Sequence, residues 1–571
     1  MKSLYPPVPP IPDENHHYWM SGIRGQDNIA DYVLHIDALS GRVRTRKEFN
    51  ELVLDGATAL GAPVAQGGLG LSGEAGDIVG VYSTNCLDYI PLMHSLIAIA
   101  TPFALISSFS TPFELSHALR TAKPTRLFVQ PNLLSKALSA ASEIGLPSDR
   151  IYVLEGHVEG RRSFADMVHY IRENKTAREP VRAVTKDTLA YLVFSSGTSG
   201  LPKAVMISHG NLWFTIQAYI VVLQEQLKHT QQVPPSTISR MLAALPFHHS
   251  YGLHMFCLRG FLFPMTYVIL PKWGTKSVLE AISKYKVTVF PMVPSMLHQL
   301  VNSKLLDKAD LSSVQQVMCG AAATPGDLVK KLRKSVPGFQ EFMEGYGLSE
   351  VTVSACLKPP PGIYGLESIM GSCGTLLPGM EARLVKDDGS EAGVNEPGEI
   401  WLRGGNVALG YYGDEQATKE TFVDGWLRTG DKLKTDGRNI LYFVERVKDT
   451  LKISGVQVSP TEIENVIRAH PGNLIMDISV AGVSGGRTSD EKVPRAWVVL
   501  SDEGTNLGAE KTLKTLQQWV EKNLSRYKWL RGGLEVVDEI PKLPTGKVLR
   551  RVLQDRYEQR LRLPVPSKAR L

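Results

Sequence analysis

A layered α/β protein with at least two folding units is what this sequence predicts, on three observations. At 571 residues the chain exceeds the roughly 250–300 residues at which a single hydrophobic core stops growing. Short runs rich in Val, Ile, Tyr and Phe alternate with helix-like stretches, the pattern of a sheet covered by helices. The third is a glycine- and hydroxyl-rich stretch, Ser195-Ser196-Gly197-Thr198-Ser199-Gly200-Leu201-Pro202-Lys203-Ala204. It follows the apolar run 189–194, so it is expected to form a turn leaving a sheet.

Taken in order, residues 1–40 open with a proline-rich arm expected to lie across the surface without a fold of its own. Strands are predicted at 77–82 and 126–129, a helix at 112–122, and a polar, irregular surface connection over 156–182. In the turn that follows strand 189–194, two glycines free the backbone. Its hydroxyls and unpaired N–H groups can wrap an anion, with Lys203 adding a point charge. Spacing excludes the two familiar phosphate loops: Lys203 is followed by Ala204 rather than the Ser/Thr of a Walker A loop, and no G-x-G-x-x-G opens a helix. A flexible surface loop is the plain alternative. Ser208 or Asn211 is expected to cap the next helix.

The stretch Leu245-Pro246-Phe247-His248-His249-Ser250-Tyr251 sets two histidines among apolar residues, a pair that reads equally well as core. Strands are predicted at 287–290 and 317–319, the second running into Gly320-Ala321-Ala322-Ala323. Small residues there let a flat ligand approach the backbone, or let a helix pack tightly. Gly345-Tyr346-Gly347-Leu348-Ser349-Glu350 then gathers the parts of a nucleotide site: a face for a flat base at Tyr346, a donor to phosphate at Ser349, and at Glu350 an oxygen ligand for Mg²⁺. Short β segments follow near 371–379, 398–404 reads as a strand, and 425–431 ends a β stretch at Asp431, an acid suited to ribose hydroxyls.

Composition narrows the class further. With 43% hydrophobic and 21% charged residues the chain has the make-up of a soluble globular protein, and disorder as its main state is excluded. A net charge of +6 is small against 63 basic and 57 acidic residues, and no long Lys/Arg block occurs, so no nucleic-acid surface is expected. Cys86, Cys257, Cys319, Cys356 and Cys373 are scattered without zinc spacing, which predicts reduced, buried thiols. No apolar signal core or transmembrane segment is evident, so an intracellular soluble protein is expected. The last residues, Ala569-Arg570-Leu571, resemble a peroxisomal address, kept clear of the preceding helix by Pro564 and Pro566.

These motifs, continued through Glu445-Arg446-Val447-Lys448-Asp449 and Pro541-Lys542-Leu543-Pro544-Thr545-Gly546-Lys547, resemble in order those of the adenylate-forming superfamily, which holds acyl-CoA synthetases, adenylation domains and beetle luciferases. The 4-coumarate:CoA ligase-like branch is the most similar. The resemblance implies a large N-terminal adenylation domain over 1–445, built of layered α/β subdomains plus a β-rich segment. A hinge at 446–449 and a small mobile α+β C-terminal domain over 450–571 follow. It implies ATP, coenzyme A and a fatty or aromatic carboxylic acid as substrates, with Mg²⁺. An acyl adenylate forms first, releasing pyrophosphate; the thiol then displaces AMP.

By the same resemblance, Ser195, Ser196, Gly197, Thr198, Ser199, Gly200 and Lys203 would close over the β- and γ-phosphates. Tyr346 would stack on adenine between Gly345 and Gly347, with Ser349 near the α-phosphate, Asp431 and Arg446 on the ribose, and Lys452 and Gln457 near AMP. Glu350 and Thr198 would hold the metal. Lys547 would be the catalytic cation of adenylation, and Lys448 and Asp449 the hinge. His249 would act at the carboxylate end of an acyl pocket shared with Tyr251, Gly320 and Ala322. A peroxisomal import receptor is the implied partner of the tail. Three departures stand out: Ser199 and Ala204 replace a threonine and a glycine, Ser454 replaces a lysine, and Val351-Thr352-Val353-Ser354 replaces Ala-Gly-Pro-Val, so coumarate is not implied as substrate. The alternatives are a free-standing enzyme that loads a carrier protein and a non-catalytic nucleotide-binding relative. Too little chain follows Lys547 for a fused carrier domain, and intact Lys547, Glu350, Asp431 and His249 oppose the second.

Overall fold

The computed structural model describes residues 1–21, 30–195, 202–229, 238–259, 262–321, 324, 326–336, 338–339, 341–359, 362–366, 369–446, 451–453, 456–484, 492–524, 528–543, 546 and 548–562. The chain forms two compact units. One comprises Met1–Glu396, Ile400–Thr429 and Lys434–Tyr442, and the other Pro397–Glu399, Gly430–Leu433 and Phe443–Leu571.

Two largely parallel sheets organise the first unit. One runs in the order Gly410–Tyr411, Lys203–Ser208, Leu189–Ser195, Phe103–Ile106, Val79–Tyr82, Arg126–Val129, Ile151–Val153. The other runs Thr375–Leu376, Cys356–Leu357, Glu341–Tyr346, Gln316–Cys319, Val289–Met292, Ser239–Ala243, Met265–Ile269, Val33–Asp37, Val43–Thr45. Their strands read as continuous apolar runs because both faces are covered: Val79–Tyr82 and Phe103–Ile106 are buried at every position. Helix Tyr89–Ala98 is likewise buried along its whole length, as an element apolar all round must be. It belongs to a core that joins Val79, Phe103 and Tyr191 of one sheet to Leu34, Tyr267 and Phe290 of the other.

The predicted helix at 112–122 is Pro112–Ala122, started by a reciprocal Thr111/Glu114 capping box with proline in the first turn. Ser208 and Asn211 both serve the helix His209–His229, each side chain accepting the other's backbone N–H. All five cysteines are buried and unbridged.

Four local expectations change. Residues 1–40 are not merely an arm: Val33–Asp37 pairs in parallel with Met265–Ile269. Asn15 is drawn inside by donating to the carbonyls of Ile97 and Arg182 at 2.8 and 3.0 Å. The polar stretch 156–182 contains the helix Phe164–Glu173, opened by a Ser163/Asp166 capping box, with Phe164, Met167, Val168 and Ile171 turned inward. The last residues of the phosphate-loop candidate, Lys203 and Ala204, lie in a strand rather than a turn, since Leu189–Ser195 pairs antiparallel with Lys203–Ser208 and Ser195 faces Lys203 across the ladder. Asp431 lies inside the long strand Trp426–Thr435, not at its end.

In the second unit a three-stranded sheet runs Ile475–Ser484, Lys492–Leu500, Leu534–Val536. Strand alternation divides its side chains. Ile478, Val480, Ala496 and Val498 join Ile463, Ile467, Leu516 and Val520 of the helices Pro460–Arg468 and Ala509–Asn523. Ala481, Val483, Val493 and Trp497 join Leu553 of Arg550–Arg562. A separate hairpin pairs Leu451–Ile453 with Val456–Val458.

Candidate active site

The first unit brings its sequence-predicted site residues to the ends of neighbouring strands. At the hairpin, Lys203 Nζ sits 5.0 Å from the centre of the Tyr411 ring. The Tyr411 hydroxyl donates to Glu350 Oε1 at 3.0 Å. Glu350 is only 8% exposed, and its backbone carbonyl accepts the Ala408 N–H at 2.9 Å. Burial, followed by the facing Glu350 carboxylate, pushes the Tyr411 phenol well up, so it stays a donor. Mg²⁺ is held through one or two carboxylates plus substrate phosphates. The donor set here, a buried carboxylate oriented through one of its two oxygens, fits that mode.

Tyr346 ends the strand Glu341–Tyr346, opposite Cys356. Its carbonyl accepts the Ala355 N–H at 2.9 Å. The glycines around it answer to close backbone approach: a Cβ on Gly345 would meet the Cys356 carbonyl oxygen at 2.7 Å, and one on Gly347 the Val353 carbonyl oxygen at 1.8 Å. The turn Ser349–Val351 is followed by Thr352 and Val353 at φ of 49° and 84°. A β-branched valine there is strained and persists only where its surroundings impose it. Asn406 imposes it: its amide donates to the carbonyls of Val351 and Ser354 at 3.1 and 2.9 Å, and Thr352 donates to the Asn406 carbonyl at 2.7 Å.

The histidine motif docks on this turn through a 2.7 Å hydrogen bond between the hydroxyls of Ser250 and Ser349. His249 caps the short helical turn Ser250–Gly252, its Nδ1 accepting the Tyr251 N–H at 3.4 Å, which leaves the ring proton on Nε2. Burial lowers His249 to about 4 and His248 to about 3, the latter helped by His249 beside it. Both rings are therefore neutral near pH 7. The Tyr251 ring abuts Gly320, where a Cβ would stand 3.4 Å from it. Ser195, Lys203, His249, Tyr251, Gly320, Gly345, Tyr346, Gly347, Ser349 and Glu350 thus belong to one unit. Sequence reasoning missed Tyr411, Asn406 and Ser250, which carry no chemistry of their own. The signal for Tyr411 was the Gly410-Tyr411-Tyr412-Gly413 run.

In the second unit Arg446 Nε lies 3.1 Å from Asp431 Oδ1, Asp431 being buried. The preceding Gly430 N–H donates to Glu399 Oε1 at 2.9 Å. Lys452 faces Gln457 across the hairpin ladder. Around the lysine motif, Lys542 and Val548 form a bridge, and Gly546 takes a left-handed φ of 82° that favours glycine. Ser196, Gly197, Thr198, Ser199, Gly200, Ala322, Lys448, Asp449, Lys547 and the tail Ala569-Arg570-Leu571 lie outside the described residues.

The sequence profile of the AMP-binding enzymes matches residues 40–412, and that of the AMP-binding enzyme C-terminal domain matches 462–547. The probable 4-coumarate–CoA ligase 3 of Dictyostelium discoideum is 31% identical over 499 residues, which cover 84% of this chain and 86% of that protein. The acyl-CoA ligase easD of Emericella nidulans is 32% identical over 510 residues, 84% and 86% of the two chains. In fold, the anthranilate CoA ligase AuaEII, solved with anthranoyl-AMP, superposes with a TM-score of 0.79 over 97% of this chain and 99% of its own, at 23% identity. Two matched profiles and relatives of this length and identity place the chain in the AMP-binding enzyme family, on the acyl-CoA synthetase branch of the adenylate-forming enzymes.

Proposed function

We propose that this protein is an ATP-dependent acyl-CoA ligase using the residues above in two half-reactions. In the first, a substrate carboxylate oxygen attacks the α-phosphorus of ATP, the bond to the β-phosphate bridge breaks, and pyrophosphate leaves from an acyl adenylate. In the second, the coenzyme A thiol loses its proton and attacks the acyl carbon, and AMP departs. The observation that carries this reading is the linked set Lys203, Tyr411, Glu350 and Ser349–Ser250, which lines up a cation, a metal-competent carboxylate and the histidine turn in one unit.

Two anions must meet in the first step, so preorganised positive charge is the main requirement; one well-placed donor is worth about 3–4 kcal/mol. Lys203 supplies a fixed ammonium and Lys547 a second. Glu350 and Thr198 would hold Mg²⁺, which when bound offsets the triphosphate charge. His249, neutral and protonated on Nε2, is suited to donate to the substrate carboxyl oxygen rather than to act as a base. Tyr346 offers adenine its face, and the Asp431–Arg446 pair suits ribose hydroxyls.

The test is carboxylate-dependent pyrophosphate release followed by AMP release when coenzyme A is added. Pyrophosphate without any thioester would favour a carrier protein as acceptor, and silence across a broad acid panel would defeat the ligase reading. Lys547→Ala should lose adenylation yet still convert a supplied acyl adenylate to thioester; equal loss in both steps would refute that division of labour. Ala569-Arg570-Leu571 supports docking to a peroxisomal import receptor wherever it ends the mature chain. A C-terminal tag should then return the protein to the cytosol, and unchanged organelle localisation would rule the address out.

A further inference from the structure

Arg259 is a buried cation with no carboxylate beside it among the described residues. It ends the segment that His249 begins: the turn Ser250–Gly252 runs into a π-helix over Leu253–Leu258, and the Arg259 N–H closes it on the His254 carbonyl at 2.9 Å. π turns of this kind often mark functional sites. The residue is 8% exposed. Its guanidinium lies over the Tyr219 ring, 3.8 Å from the ring centre. One terminal nitrogen donates to Ser354 Oγ at 3.4 Å, an oxygen that also accepts the Tyr219 hydroxyl at 3.1 Å. Nε is buried without a hydrogen bond. Among the described residues no carboxylate pairs with this arginine. Burial pushes the guanidinium below its ordinary value, opposed first by its contact and hydrogen bond with the Tyr219 phenol.

A guanidinium carries five donors in a planar fork matched to a carboxylate, and removing one from water without an anion is strongly unfavourable. The stacked tyrosine and the long Ser354 contact offset part of that cost but supply no anion. The surrounding residues tie the group to the acyl positions. Tyr251 shares its segment and packs on Gly320, and Ser354 directly follows the strained Thr352 and Val353 of the Glu350 turn. His249 and Arg259 stand at opposite ends of this segment, so one end suits the carboxyl being activated and the other carries a cation that no carboxylate pairs among the described residues.

We propose that Arg259, supported by Tyr219 and Ser354, recognises a second carboxylate at the far end of the acyl substrate, so that the acid activated is an α,ω-dicarboxylic acid. This rests on the ligase reading, with Arg259 as a specificity-determining residue of the same site. A bidentate contact made equally in ground and transition states acts through KM and leaves kcat largely alone.

The test compares adipate, suberate and sebacate with their monomethyl esters in ATP-dependent pyrophosphate release, using the full-length wild type, Arg259→Met and Arg259→Lys. Wild type should favour its best diacid over the matching ester by at least about tenfold in kcat/KM. Arg259→Met should raise KM for the diacid, leave ester turnover within about threefold, and abolish the preference; Arg259→Lys should retain part of it. A wild type that favours every ester, or an Arg259→Met with unchanged KM for the diacid, overturns the inference. Should Arg259→Met melt early, calorimetric titration of the wild type with suberate and with its monomethyl ester reads the same contact without a variant: tighter suberate binding supports the inference and equal binding overturns it. If no acid drives pyrophosphate release, the ligase reading fails by itself, and the titration still decides the anion site.

Discussion

Gly347 and Tyr411 show how little room single residues leave around the candidate nucleotide turn. A Cβ at Gly347 would fall 1.8 Å from the Val353 carbonyl oxygen, a backbone atom with nowhere cheap to go. Gly347→Ala should therefore push the turn open at a cost on the order of 3 kcal/mol. A melt with and without ATP should show a lower midpoint and no ATP-dependent rise; an unchanged rise would mean that this turn does not bind the nucleotide. Tyr411→Phe removes the donor to Glu350 Oε1 and leaves a buried carboxylate oxygen unsatisfied, at about 1–3 kcal/mol. Pyrophosphate release should fall about tenfold, with the Mg²⁺ titration shifted to higher concentration. Equal Mg²⁺ midpoints would detach Glu350 from the metal. Glu350 and Ser349 were legible because they follow Tyr346 within one run of sequence. Their supports, Tyr411 and Ser250, were not, because the pairs stand 61 and 99 positions apart and only the folded sheet closes those distances.

At the scale of elements, the clamp on the Val351–Ser354 loop is what holds the site's curvature. Asn406 spans the loop with two donated bonds and receives a third from Thr352, which offsets the left-handed backbone at Thr352 and Val353. Asn406→Ala should release that strain and lose adenylation activity together, with a stability loss of about 2–4 kcal/mol. Asn406→Asp keeps the shape but not the amide donors, so it should be no better. Full activity in either variant would show that the loop conformation is immaterial. The helices divide by the same logic of visibility. Pro112–Ala122 announced itself through Pro112 and the Thr111/Glu114 box. Phe164–Glu173 carries an equally good box at Ser163/Asp166, but its polar flanks hid an apolar spacing that only its packed face makes plain.

Over the whole chain, sequence identified the α/β alternation, because it depends on local periodicity. It did not reveal which strands pair, because pairing such as Val33–Asp37 with Met265–Ile269 joins distant segments. Nor did it disclose how many histidines the first unit buries. His16, His17, His35, His94, His209 and His254 are all within the core. Burial lowers His17 and His209 to about 4 and His94 to about 3, and takes His16, His35 and His254 well below their ordinary 6.5. His94 and His254 act as neutral hydrogen-bonding groups: His94 Nε2 meets the Cys257 carbonyl at 2.7 Å, and His254 Nε2 meets the Tyr191 hydroxyl at 2.7 Å. An unfolded chain protonates each histidine as the pH falls through about 6.5, while the folded chain does not. The unfolded state thus binds more protons, so stability is fully present above about pH 6.5 and declines below it, by about 1.4 kcal/mol per pH unit for each group until its own folded value is reached. Carboxylates whose folded values are depressed, such as Asp166, come into play only at lower pH. The interval from pH 6.5 to 5 therefore isolates the histidines. Denaturant midpoints should fall steeply across it, and His254→Gln should flatten the slope by about one proton's worth. A stability profile level between pH 7 and 5 would mean that these histidines are not held neutral in the native core.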